Sequence, residues 1–148
     1  MCGITGYIGN KDAFKLLLDG LKQLQNRGYD SAGICTISDM GDFNLFKYAT
    51  KKNLSAIEKL ESIKYKNNFN GIGHTRWATH GPKTDENSHP HICMFNEISL
   101  VHNGIIENYQ KLKTFLINNK YVFTSETDTE VIVNLLSFEY KKSNNFLD

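Results

Sequence analysis

At 148 residues, 40% hydrophobic and 22% charged, the chain is long enough for one domain with a real core. A formal net charge of +1, with no block of like charge, points away from nucleic acid, anionic membranes and acidic partners. The start turns polar by Asn10-Lys11-Asp12, unlike a signal peptide, and no apolar run approaches the roughly 18 residues of a membrane span. The three cysteines, Cys2, Cys35 and Cys93, fit neither a disulfide framework nor paired zinc ligands. The expectation is a soluble globular protein of the cytoplasm.

In chain order, Gly3 to Ile8 reads as a short strand. Asp12 offers an N-cap to a helix in which Phe14, Leu17, Leu18, Leu21 and Leu24 recur at helical spacing, up to Asn26-Arg27-Gly28. Ala32 to Ser38 and Phe43 to Tyr48 form a hairpin across Asp39-Met40-Gly41-Asp42. Ser55 and Glu58 are a capping-box pair before a short helix with Ile57 and Leu60 inward. Gly71 to Trp77 reads as a strand, and Ala78 to Pro90 as an exposed polar loop. Ile92 to Phe95 and Ile98 to His102 make a second hairpin around Asn96-Glu97.

A helix with Tyr109, Leu112, Phe115 and Leu116 follows Asn103-Gly104. Residues 121–123 read as a brief strand. Thr127 and Glu130 are a second capping-box pair, opening a helix with Val131, Ile132, Leu135 and Leu136 on one face, and 141–148 reads as a frayed tail. Hairpins alternating with amphipathic helices imply an α+β fold with largely antiparallel sheets.

Cys2 is the candidate nucleophile. Trimming of Met1 would put its thiol and a free α-amino group on one residue. Reference values near 8.5 for a thiol and about 7.7–8.0 for an α-amine let the amine accept the thiol's proton. Gly3 is read as leaving space beside the sulfur. The bland alternative is a small packing residue near a chain end. Asn103 and Gly104, at a strand-to-turn junction, offer an amide and a backbone N–H to an oxyanion, or are an ordinary Asn-Gly turn. Arg76 can grip a carboxylate with two parallel hydrogen bonds, or form a surface ion pair. Trp77 covers a ligand or fills core. Asp128 either interacts with a helix dipole or pairs with a substrate ammonium. Arg27 closes the first helix.

The runs Cys2-Gly3-Ile4, Arg27-Gly28-Tyr29-Asp30-Ser31-Ala32-Gly33, His74 to Gly81, Asn87-Ser88-His89-Pro90-His91, His102 to Asn108 and Ser125 to Ile132 together resemble one family. This is the glutaminase domain of glucosamine-6-phosphate synthases, class II amidotransferases with an N-terminal nucleophile (Ntn hydrolases). Amidophosphoribosyltransferases share the Cys-Gly-Ile start and an Asn-Gly pair. The resemblance implies a four-layer α/β/β/α sandwich and hydrolysis of the L-glutamine side-chain amide. It assigns Cys2 as nucleophile with its own α-amine as base, and Asn103 and Gly104 as the oxyanion site. Arg76 and Asp128 bind the substrate's carboxylate and ammonium. Trp77, Thr79 and His80 line the site, Trp77 also gating the ammonia route, and Arg27 and Gly28 support it. No metal or cofactor is expected.

The resemblance also implies that residues 1–148 are the N-terminal part of this domain, lacking later strands of the sandwich and the sugar-isomerase domains that consume the ammonia. L-glutamine and such an isomerase domain are the expected partners, and self-association into a homo-oligomer stays open. Three alternatives stand beside the leading reading: an inactive, truncated glutamine-binding fragment; the glutaminase domain of another class II amidotransferase such as an amidophosphoribosyltransferase; and a Cys-His hydrolase using His74, His80 or His102 as base.

Overall fold

The computed structural model describes residues 2–27, 30–66, 68–77 and 82–143, with Arg27 described by its backbone alone. Strands β1 (Gly3–Ile8), β2 (Ser31–Ser38), β3 (Phe43–Ala49) and β4 (Asn68–Arg76) form one antiparallel sheet in the order β1-β4-β2-β3. Helix α1 (Ala13–Gln23) is capped by Asp12, whose carboxylate accepts the Lys15 N–H at 3.0 Å. Helix α2 (Ala56–Glu61) carries both halves of the Ser55/Glu58 capping box. Both helices lie on one face of the sheet. Phe14, Leu17, Leu18 and Leu21 of α1 and Ile57 and Leu60 of α2 bury against Ala32 and Ile34.

Strand alternation turns the intervening residues the other way. A Cβ at Gly33 would collide with the His89 carbonyl oxygen, so glycine is what lets the next layer approach. That layer is a small hairpin, β5 (His91–Ile92) paired with β6 (Ser99–Leu100). Its far side is covered by α4 (Asp128–Ser143), with Val133 meeting Cys93 and Ile98. Helix α3 (Tyr109–Asn118) packs on α4 through Leu116 and Val131, with Tyr121 of the segment after α3 in the same cluster. The order of layers, helices, sheet, hairpin, helices, is that of an α+β fold with antiparallel sheets.

Several expectations are corrected. Residues 121–123 are not a strand, because side chains serve them instead of a partner strand: Tyr121 packs on Phe95 with ring centroids 5.5 Å apart, and the Val122 N–H donates to Met94 Sδ at 3.2 Å. The loop before β5 is not exposed throughout. Asn87, Ser88, His89 and Pro90 are buried, held by Lys47 Nζ, which donates to the carbonyls of Glu86 and Ser88 at 2.9 Å each. The buried residues of α4 are Asp128, Thr129, Glu130, Val131, Val133, Asn134 and Ser137; of the expected face, Val131 is buried and Leu135 packs in its cluster, while Leu136 is exposed. Polar groups among the buried residues serve the hairpin, Asn134 Oδ1 accepting the Met94 N–H at 2.8 Å. The second capping box is half made. Thr127 Oγ1 accepts the Glu130 N–H at 3.4 Å, but the Glu130 carboxylate reaches back to Thr124 and Ser125. Helix α4 continues through Ser143 where fraying was expected from Lys141.

Candidate active site

The register of β1 on β4 pairs Gly3 with Thr75 and Ile4 with His74. With side chains alternating along each strand, Thr75 points to the helices, and His74 and Arg76 point to the hairpin layer. Cys2, one residue before Gly3, shares the face of His74 and Arg76. Its sulfur accepts the Trp77 N–H at 3.1 Å and lies 3.6 Å from the Trp77 carbonyl oxygen. Gly3 does not open space beside the sulfur. A Cβ there would stand 2.8 Å from Leu24 Cβ, and the Gly3 N–H donates to Thr75 Oγ1 at 3.2 Å. Glycine at this position seats β1 on α1.

Asn103 arrives from the end of β6. Its Nδ2 donates to the Cys2 carbonyl oxygen at 3.2 Å, and its Oδ1 lies 2.8 Å from His74 Nε2. Nδ2 carries two hydrogens, and the bond to Cys2 uses one. At Gly104 a Cβ would stand 2.7 Å from His102 Nε2. The Asn-Gly turn is thus packed against the chain's second residue.

Two opposite charges are buried nearby. Arg76 is 4% exposed and Asp128 6% exposed. Burial lowers the Arg76 pKa, while Cys2, Asp30 and Asp128 raise it. Asp128 stands in the first turn of α4, where the dipole favours it, and its Oδ2 accepts the Ile106 N–H at 2.8 Å. That bond ties the turn after Asn103 to α4. Asp30, also buried, pairs with Lys83 and was not singled out from sequence. Its position offered a signal, since it directly precedes Ser31, the residue that pairs with Arg76 across the sheet.

Three buried histidines cluster from this face inward, His74 and His89 tilted with ring centroids 4.3 Å apart and His89 and His91 edge-to-face at 4.9 Å. Burial lowers the His74 pKa to about 4, against the opposing effect of the Asn103 hydrogen bond. Burial likewise holds His89 and His91 well below the ordinary histidine value, assisted by neighbouring positive charge. His91 Nε2 lies 2.9 Å from Thr127 Oγ1, and His102 Nδ1 lies 3.5 Å from Thr129 Oγ1. Among the described residues, no histidine hydrogen-bonds to the Cys2 thiol.

The structure therefore brings together Cys2, Arg76, Asn103, Gly104 and Asp128 from four separate segments. Trp77, 43% exposed, adjoins the thiol through its backbone. Gly28, Thr79, His80 and the side chain of Arg27 lie outside the described residues.

Residues 61–142 match the family model described as a glutamine amidotransferase domain. The chain belongs to the glutamine amidotransferase family. It is 53% identical over 140 residues to the glutamine–fructose-6-phosphate aminotransferase (isomerizing) of Caldanaerobacter subterraneus, covering 95% of this chain and 22% of that one. It is 52% identical over 149 residues to the protein of the same name from Clostridium acetobutylicum, covering 100% of this chain and 24% of the other. The chain thus spans about a quarter of the length of these relatives. Among solved structures it resembles the glutamine phosphoribosylpyrophosphate amidotransferase from B. subtilis (TM-score 0.69) and one described as the allosteric regulatory enzyme of purine biosynthesis (TM-score 0.74). Each is 29% identical, over 93% of this chain and 29% of that chain. These neighbours are Ntn-hydrolase amidotransferases, the architecture that the layered α+β fold shares. No helix among the described residues is long and apolar enough to cross a membrane.

Proposed function

We propose that this chain hydrolyses the side-chain amide of L-glutamine to glutamate and ammonia, with Cys2 as nucleophile once Met1 has been removed. The observation that carries this reading is the Asn103 amide, 3.2 Å from the backbone of Cys2 and on the face that also carries Arg76. The Cys2 α-amine takes the thiol proton, and the thiolate attacks the amide carbon. The resulting oxyanion sits between Asn103 Nδ2 and the Gly104 N–H. Collapse breaks the C–N bond, the α-ammonium returns its proton to the leaving nitrogen, and ammonia departs. Water, deprotonated by the same amine, then hydrolyses the thioester and frees glutamate.

Arg76 binds the substrate's α-carboxylate and Asp128 its α-ammonium. Both are buried, so a zwitterion that pairs with them is desolvated and its amide is held against the sulfur. Such positioning is worth roughly 7–11 kcal/mol of barrier in well-oriented systems. An oxyanion donor contributes ~10²- to 10³-fold in rate. Trp77, with Thr79, His80, Arg27 and Gly28, lines or supports the site and stands over the route by which ammonia leaves.

The 148 residues are, in this reading, the N-terminal part of a glutaminase domain in the cytoplasm. The ammonia serves amination of fructose 6-phosphate by a sugar-isomerase domain. Support for that acceptor is the 52–53% identity to proteins named glutamine–fructose-6-phosphate aminotransferase, against 29% to the two solved structures. The test is ammonia release from glutamine by the purified chain and by Cys2→Ala. Release in the first and none in the second is expected; equal release would overturn the assignment of Cys2.

A further inference from the structure

The Asn103 amide is fixed at both ends, and hydrogen-bond chemistry settles which end is which. The Cys2 carbonyl oxygen only accepts, so the atom 3.2 Å from it must be the NH₂ group. The oxygen of Asn103 therefore faces His74, and at 2.8 Å the atom opposite it must donate. That atom is His74 Nε2. In a neutral ring the other nitrogen, Nδ1, is then bare. Among the described residues Nδ1 is buried with no hydrogen-bond partner, which suits a nitrogen without a proton and opposes one that carries it. His74 is fully buried, with the His89 ring tilted 52° against it at 4.3 Å between centroids, so the ring cannot turn without displacing a neighbour. Burial also favours the neutral ring. Reversal of the Asn103 amide would set its NH₂ against Nε2–H and its oxygen against the Cys2 carbonyl, two repulsive contacts in place of two bonds.

We propose that His74, as the neutral Nε2–H tautomer, is a positioning residue that fixes the Asn103 amide with its NH₂ toward the reacting carbon, and that it exchanges no proton with substrate. This rests on the glutamine-hydrolysis reading, in which Asn103 holds the oxyanion. His74 donates to the amide oxygen in the free chain and throughout the reaction. Loss of that donor leaves the Asn103 amide held at one end only, by the Cys2 carbonyl, and its effect falls on the step in which the oxyanion forms.

The test compares the full chain with His74→Asn and His74→Gln. The glutamine side-chain nitrogen reaches the place of Nε2, whereas that of asparagine falls short. His74→Asn is expected to lower kcat for glutamine by about 10- to 100-fold with KM changed less than about twofold. His74→Gln should recover most of the loss. Equal kcat in the two variants, or a change confined to KM, would overturn the proposal. Nitrogen NMR of the wild-type His74 ring supplies a second arm that needs neither turnover nor a stable variant. A protonated Nε2 and bare Nδ1 near pH 7 are expected, and the opposite tautomer or a doubly protonated ring would reject the proposal. Wild-type protein that shows this tautomer yet leaves glutamine intact would sink the hydrolysis reading and, with it, the catalytic meaning of the bond. Wild-type turnover with the wrong tautomer would sink the His74 role alone.

Discussion

The side-chain nitrogen of Asn103 donates to the backbone carbonyl of Cys2 at 3.2 Å across 101 residues of sequence. The contact links the turn after β6 to the start of β1, so the two layers meet at the proposed nucleophile. Replacing Asn103 with Ala removes a donor that is worth more to the oxyanion than to the ground state. A kcat for glutamine lower by about 10²-fold, with nearly unchanged KM, is expected. Steady-state kinetics decides it: a loss seen only in KM would return Asn103 to a structural turn.

Asp128 presents a different balance. Its Oδ2 accepts the Ile106 N–H at 2.8 Å, a bond that Asn at this position can keep through its carbonyl oxygen. Asp128→Asn therefore removes charge more than structure. The expected result is a KM for glutamine raised about 10-fold or more, with a midpoint of unfolding within a few degrees of wild type. An unchanged KM would leave Asp128 as a helix-dipole residue alone.

Glu130 holds the approach to α4. Its carboxylate accepts from Thr124 N and Oγ1 at 2.8 and 2.9 Å, and from Ser125 N and Oγ at 2.7 and 2.5 Å. Glu130→Gln turns one acceptor oxygen into a donor that faces donors. A loss of about 2–3 kcal/mol in unfolding free energy is expected by urea denaturation. A change below about 0.5 kcal/mol would mean the network tolerates rearrangement.

The local part of this architecture was legible in the chain itself. Asp12 as N-cap and the Ser55/Glu58 box are decided within four residues, and the α1 stripe Phe14, Leu17, Leu18, Leu21 within three turns. What escaped depends on partners remote in sequence. Asn87 to Pro90 reads as solvent-exposed because its residues are polar. It is buried because Lys47 binds the Ser88 carbonyl and the Glu126 N–H donates to Asn87 Oδ1 at 2.9 Å. The inward face of α4 misleads in the same way, since Asn134 and Ser137 point to the hairpin on account of their hydrogen bonds. Within the site, Cys2, Arg76, Asn103 and Asp128 were named from sequence, but His74 was considered only as a base. Its alternation with Arg76 on β4 was the available clue to a shared face.

The buried histidines set an acid limit on stability. The His74 pKa falls from 6.5 unfolded to about 4 folded, and His89 and His91 also lie below the ordinary value. Between these values the unfolded chain binds protons that the folded chain refuses, so stability rises with pH through this window and is lost as pH falls below about 6.5. The groups packed against the cluster are the cations Lys47 and Arg76, which add to the effect. Between pH 7 and 5 the loss should be about 2 kcal/mol from His74, with His89 and His91 acting in the same direction. Urea unfolding at a series of pH values measures it, and a flat profile from pH 7 to 5 would contradict neutral burial of the cluster.

The most direct measurement pairs intact mass with ammonia release from glutamine. One preparation is trimmed to begin at Cys2, and a second keeps Met1 and so lacks a free amine on the nucleophilic residue. Turnover in the trimmed chain and none in the untrimmed one is the expected result. Equal ammonia release from both would contradict the α-amine as the proton carrier, and with it the central role given to Cys2 as an N-terminal nucleophile.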